Sequence, residues 1–233
     1  MSETRPGFLT TLAKVPARLR ARGPREVSTL ALQRLKEAFR SDDELIFFVR
    51  ASGGEPVDSP KWKDLRLKRA ERADASAYAR DIGTDSAVTF AERLTDGTRC
   101  YLVLEGHKIL HATWVTTSAS WVREIGRYFR PPAGEAYVYE SFTRADARGH
   151  GVYPFALHGI SHDLSTEGIE RVWVAVEVDN APSLRAVDKA GFDRSFELGY
   201  KRRLGRLTLS PPTGPGAAKW SECIHKKPSG ANH

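Results

Sequence analysis

The stretch Tyr139-Glu140-Ser141-Phe142-Thr143-Arg144-Ala145-Asp146-Ala147-Arg148-Gly149-His150-Gly151-Val152-Tyr153-Pro154 decides the fold. A β-rich run ends near Thr143, a loop with two glycines follows, and a helix is predicted to start near Gly151. Glycines at 149 and 151 let the chain turn tightly and approach a ligand without a Cβ in the way. The first amides of the helix have no helical acceptor and, with the macrodipole, present partial positive charge to an anion. Arg148 adds a permanent charge. Pro154 suits a first turn, where a missing N–H costs nothing. Physically this is a phosphate cradle, although glycine-rich strand-to-helix turns also serve purely steric ends. Two nucleotide signatures are excluded by the letters. No Gly-x4-Gly-Lys-Ser/Thr string occurs, and the third position of Gly-x-Gly-x2-Gly is Pro154.

On either side the pattern is that of an α/β chain. Leu45–Val49 is a short apolar run that reads as a buried strand, bounded by Ser41-Asp42-Asp43 and Gly53-Gly54. Residues 62–96 are rich in Ala, Arg, Asp and Glu and read as two helices broken near Gly83. Thr98–Leu104 and Lys108–Thr116 form a hairpin signature around Glu105-Gly106-His107. Strands are predicted at 136–143, 172–178 and from Phe192, and a short helix at 181–189. The tail from Pro211 reads as irregular. The segment with Trp114, Trp121, Tyr128 and the interleaved Arg123, Arg127 and Arg130 reads as a cover for an acceptor or as a helix with a basic exterior. Residues 26–39 carry one apolar face, at Val27, Ala31, Leu35 and Phe39. That helix has three destinations: the protein's own body, an anionic membrane surface, or a partner.

Charge and cysteine content exclude several classes. The net charge is +7 over 233 residues, but residues 1–40 hold 9 Lys+Arg against 3 Asp+Glu, while residues 41–209 hold 24 against 25. A nucleic-acid-binding module would carry the excess on its folded body, so nucleic acid is not expected as the partner. Cys100 and Cys223 imply neither a disulfide framework nor a metal knuckle, and a cytoplasmic setting is the simplest expectation. No apolar run approaches the roughly 20 residues of a membrane span, and the N-terminus does not read as a signal peptide. His158 and His162 lie four apart beside Asp163, but without His-Glu-x-x-His or a third strong ligand, so no metal is expected.

After the 172–178 strand come Asp179-Asn180-Ala181-Pro182-Ser183 and then Lys189-Ala190-Gly191-Phe192. With Arg148-x-x-Gly151 upstream, this order of Arg-x-x-Gly, Asn-x-x-Ser and Lys-Ala-Gly-Phe resembles the GNAT superfamily of acyl-CoA N-acyltransferases, over about residues 136–200. The resemblance implies an α/β (α+β) fold. Its sheet is mixed and mostly antiparallel, of six to seven strands, with helices on both faces and a V-shaped splay between the family's fourth and fifth strands. It implies a domain at 41–209, with 1–40 a basic extension and 210–233 a tail. Acetyl-CoA or another acyl-CoA is the implied co-substrate. Its pantetheine arm would lie along Phe142 and Thr143, its pyrophosphate on the amides from Gly149 to Tyr153 beside Arg148 and His150, and Asn180 and Ser183 would touch the arm. Acetyl transfer to a primary amine of a small molecule or amino sugar is the implied reaction. A longer acyl group, a hydroxyl acceptor, or an acyl-CoA-binding module without turnover are the alternatives.

Two departures matter. The tyrosine that many members place seven residues after the Asn is Val187 here, and Tyr153 stands where Gly or Ala is usual. Tyr153 or another tyrosine is therefore a candidate acid for the leaving thiolate, or no dedicated acid is needed, a coenzyme A thiolate being a tolerable leaving group. Glu140, on the fourth strand of the family pattern, is the first candidate base, and Glu135 the second. Tyr137 and Tyr139 share one strand face, as acceptor lining or as packing. Homodimers are common in such enzymes, but no interface signal stands out.

Overall fold

The computed structural model describes residues 40–54, 62–203 and 206–226. The amphipathic helix expected at 26–39 lies outside the described residues. The elements run β1 (Arg40–Ala51), β2 (Leu65–Arg69), α1 (Ala75–Asp81), α2 (Ala87–Arg93), β3 (Thr98–Glu105), β4 (Lys108–Thr116), β5 (Ser120–Val122), β6 (Arg127–Phe129) and β7 (Glu135–Thr143). They continue as α3 (Val152–Thr166), β8 (Arg171–Glu177), α4 (Ala181–Lys189), β9 (Asp193–Arg203), β10 (Arg206–Leu209), α5 (Trp220–Cys223) and β11 (Ile224–His225). Among the described residues, eight strands form one sheet in the order β10-β9-β1-β8-β7-β4-β3-β2, antiparallel except for the β7–β8 pair. This is the mixed, mostly antiparallel, GNAT-like arrangement that the motif resemblance implies, with more strands than six or seven.

Both faces of the sheet are covered. On one face α3 and α4 pack Val152, Leu157, Ile160 and Val187 against Val138, Val172 and Val174. The other face carries two cores. Tyr78 of α1 and Phe90 of α2 pack against Trp114 of the sheet. Phe47, Trp173 and Phe196 lie under a small sheet of order β11-β6-β5, which contributes Phe129. Phe47 stacks on Phe129 at 5.1 Å and on Phe196 at 4.5 Å between centroids. Burying each such ring contributes about 1.5–3 kcal/mol. These cores hold the sheet rigid where the chain's motifs meet.

Three local expectations need correction. Residues 65–69 are an edge strand, not helix. Leu65 and Leu67 flank the exposed Arg66 at a spacing of two, an alternation of three residues that helix-forming composition concealed. Lys and Arg on an outermost strand also discourage pairing with another chain. The segment after β4 is the β5–β6 hairpin rather than a basic-faced helix. The tail is not wholly irregular: β11 pairs with β6, and Cys223 and Ile224 are buried. Trp220, Cys223 and Ile224 cap the second core, which gives the segment a reason to order. No helix among the described residues is long and apolar enough to cross a membrane.

Candidate functional site

Strands β7 and β8 part company midway. They pair in parallel over Glu135–Val138 and Arg171–Val174, yet β7 runs on to Thr143 and β8 to Glu177. A V-shaped opening therefore lies beyond Val138. On its other edge β7 pairs with β4, with a register shift between Ala112 and Trp114. The bulge responsible centres on Glu140, whose φ is +47°, alone among the described non-glycine residues in being positive. A non-glycine residue held there is strained by roughly 1–3 kcal/mol and points to a position its surroundings enforce. Arg93 at the end of α2 supplies part of that enforcement. Its Nη2 lies 2.7 Å from Glu140 Oε2, its Nη1 donates to Asp85 at 2.5 Å, and its guanidinium sits 3.9 Å over the Trp114 ring. Burial opposes the arginine's charge, but Glu140 and Asp85 together raise its proton affinity above the ordinary value.

The bulge changes which face the following residues take. Phe142 is buried beneath α1 and α2 with Trp114, whereas Ser141 and Thr143 turn toward α3. There Ser141 shares a hydrogen bond with Thr113 and another with the Tyr153 hydroxyl. Thr143 Oγ1 is 2.7 Å from His111 Nδ1, and the His111 ring stacks on Tyr153 at 5.2 Å. Burial lowers the His111 pKa to about 3, so the ring is neutral at pH 7, with Nε2 buried and unpartnered. Burial pushes the Tyr153 hydroxyl up to about 12, with Ser141 opposing, so it stays a proton donor.

The loop Arg148–Gly151 opens at the wide end of this cleft. Gly149 and Gly151 have φ of +82° and +78°, and Gly151 caps α3 in the left-handed region. Among the described residues no backbone carbonyl accepts from the amides of residues 149–153. The Trp62 indole Nε1 is likewise buried without a partner, and a Cβ on Gly151 would come within 3.0 Å of it. A run of free donors around a glycine-shaped hollow fits a diphosphate. Arg148 folds back, its Nε donating to the Thr143 carbonyl at 3.2 Å, and His150 is exposed.

The remaining expected residues divide clearly. Asn180 caps α4, its side chain accepting from the Ser183 amide at 3.3 Å. Replacing Asn180 with alanine is expected to cost about 1 kcal/mol, seen as a lower Tm. Val187 is fully buried against α3. Placing tyrosine there is expected to destabilise the fold by about 1–3 kcal/mol in chemical denaturation. Glu135, the second candidate base, does not border the opening. It is 2% exposed and engages Arg171 and the Trp173 indole at the closed end of the splay. Tyr137 packs on Phe129 and stacks on Tyr139 at 5.9 Å. His158, His162 and Asp163 turn to Arg50, the Gly54 carbonyl and Tyr101 respectively, so they do not converge. No group of three or more metal-ligating side chains converges among the described residues.

Two residues that border the cleft escape sequence reasoning: His111 and Trp62. A lone His in an apolar strand and a Trp beside a loop carry no local signal. Each acquires its place through contacts distant in sequence.

No protein-family model matches the sequence, and no curated protein matches it. Solved structures similar to the chain include an aminoglycoside acetyltransferase from an uncultured soil metagenomic sample, in complex with sisomicin. It has 12% identity and a TM-score of 0.44, covering 55% of this chain and 88% of that one. The ribosomal-protein-S18-alanine N-acetyltransferase of Escherichia coli is similar at 16% identity and a TM-score of 0.42, covering 55% and 77%. A GCN5-related N-acetyltransferase from Sphaerobacter thermophilus is similar at 15% identity and 0.44, covering 72% and 54%. Likeness at these TM-scores decides nothing about substrate or chemistry.

Proposed function

We propose that the chain transfers an acyl group, in the first instance acetyl, from acyl-CoA to a primary amine of a small molecule or amino sugar by direct attack on the thioester. The observation that carries this reading is the run of amides at 149–153, from which no backbone carbonyl among the described residues accepts, set at the mouth of a strand splay. A diphosphate fits the amides, and an extended arm fits the unpaired edge of β7 beyond Val138. Residues 41–209 are the acyltransferase domain in this account, with 1–40 a basic extension and the two buried, free cysteines suited to the cytoplasm.

Acetyl-CoA supplies an activated acyl group. The chain's own residues do the rest. Gly149, His150, Gly151, Val152 and Tyr153 hold the diphosphate through backbone N–H groups, and Arg148 adds charge at the rim. Phe142 and Thr143 guide the arm along β7, while Asn180 and Ser183 border it from α4. A backbone N–H in the bulge, freed by the register shift, polarises the thioester carbonyl. Tyr153, neutral and bonded to Ser141, returns a proton to sulfur. Glu140 borders the same opening and, with Arg93, holds the bulge in shape.

Purified protein incubated with acetyl-CoA and a panel of amines (glucosamine, ethanolamine, an alanyl peptide) is expected to release free thiol with at least one. Release with hydroxyl acceptors alone would move the reading to O-acylation. The second reading, an acyl-CoA-binding module, is favoured by Val187 in the core where the family places its acid. Binding without thiol release across the panel would select it.

A further inference from the structure

Strand β8 ends in Glu177, on the side of the opening away from the bulge. Extending the parallel register three residues beyond Val138↔Val174 brings Ser141 opposite Glu177. The strands have separated there, so the opening lies between the two. Along β8, Trp173 and Ala175 face the small sheet, and the two-residue period carries Glu177 to the same face. Tyr137 and Tyr139 of β7 share it. Ser141 and Tyr153 lie on the other face, toward α3. Glu177 thus borders the opening at the end of β8, its carboxyl held by Tyr200 of β9, and the neutral phenol of Tyr153 stands on the other face.

The surroundings of Glu177 suit a group that gains and loses a proton. The Tyr200 hydroxyl donates to Oε1 at 2.7 Å. Glu124, from the turn between β5 and β6, acts on both Glu177 and Tyr200, and Asp179 and Arg123 also act on Glu177. Asp43 of β1 acts on Tyr200, and Arg202 of β9 donates to the carbonyls of Arg123 and Glu124, both at 3.3 Å. Burial raises the proton affinity of the Glu177 carboxyl, Tyr200 opposes, and Glu124 and Asp179 add to the rise. The other two candidate carboxylates are committed, Glu140 to Arg93 and Glu135 to Arg171 and Trp173.

We propose that Glu177 takes the proton from the incoming amine, on the face of the cleft opposite Tyr153. The inference rests on the acyl-transfer reading. As the C–N bond forms, the neutral amine loses one proton to the Glu177 carboxylate. The C–S bond breaks, and sulfur takes one proton from the Tyr153 hydroxyl. Glu177 then gives up its proton and Tyr153 regains one, so the chain is unchanged after each turnover. Glu140 is on this view a positioning residue for the bulge.

The test uses the full chain with acetyl-CoA and the amine probe that wild type turns over. Glu177→Gln is expected to lower kcat about 100-fold, the lower end of what a positioned base contributes. Acetyl-CoA affinity by calorimetry should stay within about twofold. The fall in wild-type rate toward acid pH, where the base is protonated, should vanish in this variant. Tyr200→Phe removes a donor that favours the charged form, so its acidic limb should move to higher pH. Glu124→Gln removes a like charge, so its limb should move to lower pH. These two variants also stand if Glu177→Gln folds poorly. A Glu177→Gln enzyme within about threefold of wild type, with an unaltered pH profile, overturns the proposal and leaves acyl transfer intact. So do Tyr200→Phe and Glu124→Gln limbs that stay in place. A wild type that binds acetyl-CoA and releases no thiol with any amine overturns the acyl-transfer reading, and this inference with it.

Discussion

Replacing Gly151 with aspartate is expected to weaken acetyl-CoA binding at least 100-fold while the chain stays folded. Three effects act together. The residue has φ +78°, a conformation that costs a non-glycine side chain roughly 1–2 kcal/mol, with Asp among the more tolerant. Its Cβ would stand 3.0 Å from the Trp62 indole nitrogen, and the indole is backed by Phe155 at 5.5 Å between ring centroids. The carboxylate would then sit among the amides that a diphosphate needs, putting negative charge against negative charge. A 100-fold loss corresponds to about 2.7 kcal/mol. Gly149→Ala is the control: φ is +82° there too, but nothing lies within 4 Å of the new Cβ. That variant should lose stability with less than a tenfold change in affinity. Calorimetric titration beside a thermal melt of each variant separates the two cases.

Removing Glu135 should be the most damaging single change to stability in this region. The carboxylate is 2% exposed and holds both Arg171 and the Trp173 indole where β7 and β8 are still paired. Glu135→Ala leaves the indole N–H, on a residue only 2% exposed, without an acceptor. An orphaned buried donor costs about 1–3 kcal/mol. The Arg171 side chain is 42% exposed and regains water, so its share is discounted. Altogether about 2–4 kcal/mol is expected, a fall in Tm of roughly 5–15 °C for a chain of this size. Glu135→Gln keeps an acceptor for the indole and should lie in between. If Glu135 were the catalytic base, the glutamine variant would instead lose turnover and keep its Tm. The pair of variants therefore separates a strut from a base.

What the residues disclose before folding is local chemistry. Helix α4 could be read to the residue because Asn180 caps it, Pro182 suits its first turn, and Gly191 follows its end. The hairpin of β3 and β4 was legible from two apolar runs around Gly106, and the tight turn before α3 from Gly149 and Gly151. The fold class followed from the order of these pieces. Strand β2 was not legible, because its alternation covers only Leu65 to Leu67 and is easily hidden in a long stretch of helix formers. The β5–β6 hairpin and α5 depend on covering a core that only the folded sheet creates. At the site, Glu140 was found as a carboxylate, but not as a bulge with positive φ paired to Arg93, 47 positions upstream. Glu177 depends on Tyr200 and on a strand separation that no periodicity encodes.

A ¹⁵N–¹H correlation spectrum of the 25.9 kDa chain titrated with acetyl-CoA reads directly whether the amides at the start of α3 hold an acyl-CoA diphosphate. The Gly149, His150, Gly151, Val152 and Tyr153 amides are expected to shift most, together with the Trp62 indole N–H. Binding that moves other resonances and leaves these six unmoved would contradict that placement of the diphosphate.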